Sequence, residues 1–346
     1  MVSDYYRQHF SASVYDNLLL LQQAILERRE SFTFSGCSVS EMERCMYILP
    51  FEYPLIYNVF LNESTMDGSG TISLFYHDFD ENKLYERLNY IQTEIQKKIS
   101  YNMSQYEIVK TIYDYITSNF TYDTKALDAA SDIDTADKTL VRKYNEKYGS
   151  NFSMYGPLVN KKGVCSGLCQ LFKYLLNTFG IDAICITGFY KRDEEVTTLG
   201  HSVVLVEIDG NQAFIDIASG MKNMTGVNMT AYNLFMVSKE EILVNFEPMF
   251  SEYQFNDLQE DLSYFKVYGM EFENIERLSG FFMNMIDSRK EIKLHVKYTG
   301  KVLKQRQLEK LVNDIVAKKK GYKYKYYVNV KKNIINTRIF QGKDEE

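Results

Sequence analysis

The stretch Val164-Cys165-Ser166-Gly167-Leu168-Cys169 follows a break at Lys162-Gly163. It opens a run in which Leu168, Phe172, Leu175, Leu176 and Phe179 recur at i, i+4, i+7, i+8 and i+11. That spacing predicts an amphipathic helix with one buried face. Gly180 stands where a left-handed C-terminal residue belongs. Cys165 therefore falls at or just before the first turn, where unpaired N–H groups and the helix dipole favour a thiolate. Two uses of the residue follow: a nucleophile, or a small buried hydrophobe of the kind most free cysteines are.

Strands come next. Residues 183–190 are short, apolar and β-branched, 191–198 read as a charged loop, and 201–208 form a second strand. Asp209-Gly210 is a two-residue hairpin signal, with 211–217 as the return strand. With Asp209 and Gly210 as the loop, Ile208 faces Asn211 and Asp216 faces Val203. His201 lies two residues before Val203, so it shares a face with Asp216 as a diagonal neighbour. Both strands are apolar on both faces, and a carboxylate there is destabilising unless paired. The pair is either a structural clasp for the hairpin or, with Cys165, a nucleophile, a base and an orienting carboxylate. A zinc site built from Cys165, Cys169, Cys185 and His201 is the rival use of these atoms, but the spacing lacks the tight knuckle that zinc sites show. No cofactor is expected.

These residues also carry a resemblance. Tyr155-Gly156-Pro157-Leu158, Lys162 to Gly167, Phe172 through Gly180-Ile181, Gly200-His201-Ser202 and Phe214-Ile215-Asp216 together resemble the bacterial branch of the transglutaminase-like superfamily. The helix around Ile112 to Ile116 with Tyr122-Asp123, and Phe235 to Ser238, resemble its lead-in and closing segments. The resemblance spans roughly residues 90–240. It implies an α+β, papain-like core, a Cys165–His201–Asp216 triad, and acyl transfer on amides: peptide hydrolysis, deamidation or cross-linking. Leu168 and Cys169 stand where the family often has an aromatic and a small residue, and Val203 where it often has an aromatic. The chain has no Trp for the wall or oxyanion role some members give one. The backbone N–H of Cys165, the Tyr155 hydroxyl and Ser166 are the candidate oxyanion or substrate contacts.

The rest of the chain frames this core. At 346 residues it exceeds the size at which one core usually stops growing. The division expected is a helix-rich extension over 1–100, the core over 101–245 and a small α+β domain over 246–346. In the extension, helices are expected over 14–29, 40–49 (ended by Pro50 and Pro54) and 82–99, with a strand over 72–79. His9 and His77 are lone histidines there. Ser104 to Glu107 is a capping box opening another helix. The polar stretch 124–153 is long enough to act as a cover, with a helix over 138–147. After a linker over 246–261 and a turn at 287–290, strand 291–298, helix 304–318 and strands 322–330 and 333–340 make a β-α-β-β unit. Lys318 to Lys320, Lys323, Lys325, Lys331 and Lys332 interleave with tyrosines there, which reads as a lysine-guarded edge strand ahead of a nucleic-acid surface.

A net charge of −6 argues against a general nucleic-acid binder. Five cysteines make no disulfide framework, so reduced thiols and a cytoplasmic setting fit. The N-terminus lacks the order of a signal peptide, although a chain from which one had been removed would look the same. No run reaches membrane-spanning length. A peptide or protein substrate is expected. A non-catalytic binding module on the same fold and acetyl transfer from a thioester donor remain the alternatives.

Overall fold

In the computed structural model the described residues are 4–67, 70–131, 133, 136–192, 195–258, 260–286, 291–300, 305–317, 322–329 and 332–341. The centre is a five-stranded antiparallel sheet in the order 235–237, 211–215, 195–208, 182–192, 246–248. Asp209 and Gly210 both have positive φ (49° and 76°), which makes the two-residue turn that suits strand twist. The register is the expected one, with Ile208 opposite Asn211 and Val204 opposite Ile215. The return strand is shorter than expected, ending at Ile215. Asp216 instead caps the turn of helix Ile217–Gly220, its carboxylate accepting from Ser219 N–H at 3.2 Å. An Asx side chain that satisfies a free N–H ends a strand more cheaply than it continues one.

Two further expectations are corrected. Of the charged segment 191–198, residues 191–192 and 195–198 are strand and not loop, with a bulge at Phe189–Lys191. Charge does not oppose a strand whose side chains reach solvent on an exposed ribbon. The first residues of the supposed linker, Phe246–Pro248, form the edge strand beside Gly188–Tyr190. Gly188 permits this: a Cβ there would meet the Phe246 ring at 2.7 Å.

Each face of the sheet carries its own core. On one face lie the cysteine helix Cys165–Thr178 and the helices Glu81–Gln96 and Gln105–Asn119, the last opened by the Ser104–Glu107 capping box. On the other lie Ala12–Leu26 and Val39–Glu52, packed on Ile184, Ile186, Val203 and Leu205. The extension thus completes the sheet's second side. Of the expected strand 72–79, Thr71–Ser73 forms, paired with Ser31–Thr33. Pro50 does not end its helix, which runs on to Glu52. In the last turn a proline forfeits one hydrogen bond, and Tyr53 N–H still reaches Leu49.

That helix end is tied to the cysteine helix by a buried ion pair. The Lys173 ammonium donates to the Phe51 carbonyl (3.1 Å), the Glu52 carbonyl (2.9 Å) and the Glu52 carboxylate (2.7 Å). Lysine satisfies the free carbonyls there and complements the dipole. Both side chains are almost wholly buried, so Lys173→Met takes the ammonium away from a buried carboxylate. It should cost about 3–5 kcal/mol in urea unfolding, and Lys173→Met with Glu52→Leu should recover most of it.

The C-terminal sheet runs in the order 271–272, 291–298, 334–341, 322–329 over a separate apolar cluster. Strand Glu291–Tyr298, helix Gln305–Ala317 and the two last strands fall where expected, while Glu271–Phe272 and helix Ile275–Ile286 add to them. The expected turn at 287–290 lies outside the described residues, as do Lys318 to Lys320 and Lys331. Tyr322–Asn329 is an edge strand with Lys323 and Lys325 exposed. His295 is buried with Nδ1 2.8 Å from Asn336 Oδ1. Burial pulls its pKa down to about 4 from 6.5. The unfolded chain therefore takes up a proton between pH 6.5 and about 4 that the folded chain refuses. Stability from this group is complete above pH 6.5 and lost on acidification. His295→Gln should remove about 2 kcal/mol of the loss of stability between pH 7 and 5, measured by denaturant titration at each pH.

Candidate active site

Three chain crossings build the site. Val164, the residue before the cysteine helix, has an extended backbone and a side chain unable to cap. Cys165 is the first helical residue, so its N–H has no acceptor within the helix. Val164 N–H donates to the Asn151 carbonyl at 2.9 Å. Gly167 lets the helix close on that segment: a Cβ there would meet the carbonyls of Asn151 and Ser153 at 2.6 Å. The Ser166 hydroxyl donates to the Phe152 carbonyl at 3.0 Å. The end of the stretch expected to act as a cover anchors the helix start. Its helices are Thr124–Ser131 and Lys138–Tyr148.

His201 stands on the central strand opposite Gly188, between the rings of Tyr190 and Phe246 (centroids 6.0 and 6.1 Å away). Its Nε2 is 3.0 Å from Asp216 Oδ2, which leaves Nδ1 for the Cys165 sulfur, and the sulfur lies close enough to the ring to raise its pKa. Asp216 is fixed by Ser219 N–H on its other oxygen and by its own N–H on the Leu234 carbonyl (2.9 Å). Burial lowers the affinity of the His201 ring for a proton, but Asp216 and the Cys165 sulfur outweigh it and hold the pKa well above 6.5. Burial raises Asp216, and the His201 charge with the N–H donors of Ser219 and Ala218 brings it below 3.8. Cys165 and Asp216 are each 6% exposed.

A fourth group joins them. Tyr122 sits on the two-residue strand Thr121–Tyr122, parallel to Lys162–Gly163, and the Asn223 side chain clips its backbone N–H and C=O at 3.0 and 3.1 Å. Its phenol lies against the Cys165 backbone N–H and sulfur, close enough for both to act on its proton. Burial, the sulfur and Asp216 together drive its pKa far up, so the hydroxyl keeps its proton. Tyr122 carries no periodicity or spacing signal; the Tyr-Asp pair after a helix is the one hint in the sequence. The Tyr155 ring stacks on Phe79 (4.7 Å) and Tyr57 (5.6 Å), and its hydroxyl meets the backbone of Asp80.

The other sequence candidates are dispersed. Cys169 points to the Ser202 carbonyl (3.3 Å), and burial pushes its thiol and that of Cys185 up, the latter to about 12. Among the described residues no group of three His, Cys, Asp or Glu side chains is placed to hold a metal ion. His77 pairs with Glu63 at 2.7 Å, and His9 lies against the Tyr5 ring. Among the described residues no helix is long and apolar enough to cross a membrane.

Residues 93–218 match the family model of the transglutaminase-like superfamily. No curated protein matches the chain. Among solved structures it is similar to a TGase, at 17% identity over 44% of this chain and 43% of the other (TM-score 0.31). A candidate cysteine protease from Cytophaga hutchinsonii matches at 14% over 45% and 60% (TM-score 0.25). A candidate protease from Parabacteroides distasonis matches at 10% over 80% and 55% (TM-score 0.25). The chain thus covers about half the length of these structures.

The two shifts fix a pH window. His201, raised, contributes stability in full below pH 6.5 and loses it as pH rises through its folded value. Asp216, lowered, contributes in full above pH 3.8 and loses it as pH falls through its folded value. Both contributions are complete between those limits. In Asp216→Asn, burial acts on the ring without its counter-charge, so the His201 pKa should drop below 6.5 in an NMR titration of the ring protons.

Proposed function

We propose that the protein is a cysteine enzyme acting on amide bonds of peptides or proteins through a thioester acyl-enzyme. The observation that supports it is the contact of the His201 ring with the Cys165 sulfur on one side and Asp216 on the other. In this reading the Cys165 proton already rests on His201 Nδ1, and Cys165 Sγ attacks the amide carbonyl carbon. His201 returns that proton to the leaving nitrogen as the C–N bond breaks, leaving the thioester. Water gives hydrolysis or deamidation, and an amine gives a cross-link. Asp216 holds the tautomer and stabilises the imidazolium. The Cys165 N–H and the Tyr122 hydroxyl, both at the sulfur, are the donors for the developing oxyanion, whereas the Ser166 and Tyr155 hydroxyls are turned to the backbones of Phe152 and Asp80.

A second reading, a binding module that keeps the fold as a scaffold, is favoured by the depth of Cys165 and by the phenol lying against its sulfur. Iodoacetamide labelling at neutral pH separates the two. In the enzyme Cys165 labels quickly, Cys165→Ala abolishes that adduct, and hydroxylamine traps an acyl group from glutamine-containing peptides. Slow labelling with no trapped acyl group supports the scaffold. Tyr122→Phe should lower kcat by about 10²-fold with little change in KM if the phenol serves the oxyanion.

A further inference from the structure

We propose that the seam between the transglutaminase-like core and the C-terminal sheet is a binding site for a small hydroxylated phosphate monoester, separate from the Cys165 site. The seam encloses a cavity of about 560 Å³, a volume typical of small-molecule sites.

One wall is the polar face of the C-terminal sheet. Lys293 and His295 are two residues apart on one strand and therefore share a face. Arg338 and Asn336 stand opposite them on the next strand. The reverse face, with Ile292, Leu294 and Val296, makes the domain's own core. The facing wall is the end of helix Gln105–Asn119 and the segment after Asp216, which bring Asp114, Ser118, Lys222 and Thr230 to the cavity.

Charge selects an anion. The Lys222 ammonium meets the Ser118 carbonyl at 2.6 Å and, among the described residues, forms no ion pair. Asp114 is already engaged, accepting from Lys110 Nζ at 2.6 Å and from the Tyr232 hydroxyl at 2.5 Å. Glu291 engages Arg338 at 2.6 Å. Among the described residues that line the cavity, Lys222, Lys293 and Arg338 face one carboxylate, Asp114; Lys110 stands behind Asp114 and Glu291 behind Arg338 and Lys293, in a chain whose overall charge is −6. An excess of two positive charges, one of them a guanidinium, matches a phosphate dianion.

The rest of the cavity asks for hydroxyls. Asn336 Nδ2 donates to Asn233 Oδ1 at 3.1 Å, which turns Asn336 Oδ1 toward His295 Nδ1 at 2.8 Å. Nδ1 is then the protonated nitrogen, and Nε2 of this cavity-lining ring is an acceptor. The hydroxyls of Ser118 and Thr230, 3.2 Å apart, add a further polar contact. Inorganic phosphate would leave most of the space to water, whereas a sugar- or polyol-sized ester fills it.

The test is isothermal titration of the full chain at fixed ionic strength. The probes are glucose 6-phosphate, ribose 5-phosphate, glycerol 3-phosphate, inorganic phosphate and glucose. At least one ester should bind about tenfold or more tightly than inorganic phosphate, and glucose should not bind. Lys293→Gln and Lys222→Gln, each checked for an unchanged melting temperature, should each weaken the ester about tenfold. Either variant alone suffices if the other does not fold. The proposal is overturned if no ester binds, if inorganic phosphate binds as tightly as the esters, or if the folded variants bind like the parent. The reading of the Cys165 site is untouched by any of these results.

Discussion

The contact between the His201 ring and the Asp216 carboxylate organises the centre of this protein. It exists because a two-residue turn at Asp209-Gly210 sets the register of two strands, and because a one-residue slip would put the carboxylate on the opposite face. A buried carboxylate needs a partner and a buried imidazole gains a proton from one, so each group makes the other tolerable. The end of the return strand at Ile215 adds to this, since Asp216 gains the Ser219 N–H at the cap.

Around that pair the fold is a set of close approaches. Gly167 lets the cysteine helix settle on the 151–153 carbonyls, and Gly188 lets the 246–248 strand reach the sheet edge beside His201. The strand pair 121–122 and 162–163 carries Tyr122 to the start of the cysteine helix. The N-terminal helices are part of the same construction. They bury the sheet's second face and fasten the far end of the cysteine helix through Lys173 and Glu52.

The C-terminal sheet meets the core through polar and aromatic groups. The His295 ring stands edge-on to Tyr232 at 4.8 Å and to Tyr264 at 5.8 Å, and Asn336 reaches Asn233. Asn233 adjoins Leu234, whose carbonyl holds the Asp216 N–H.

The sequence alone determined the amphipathic cysteine helix, the hairpin and its register, the pairing of His201 with Asp216, and the β-α-β-β order from residue 291 onward. Each is a local pattern, a period of 3.6 or 2 or a turn dipeptide, and local patterns are written in adjacent residues. Only the tertiary structure decided that Tyr122, 43 positions before Cys165, meets its sulfur and N–H. It also decided that Lys173 serves a helix end 121 residues earlier, and that 246–248 is a strand. In each case the partner is supplied by a distant segment, and what makes a tyrosine, a lysine or a short extended run functional is the group brought against it, which no spacing along the chain records.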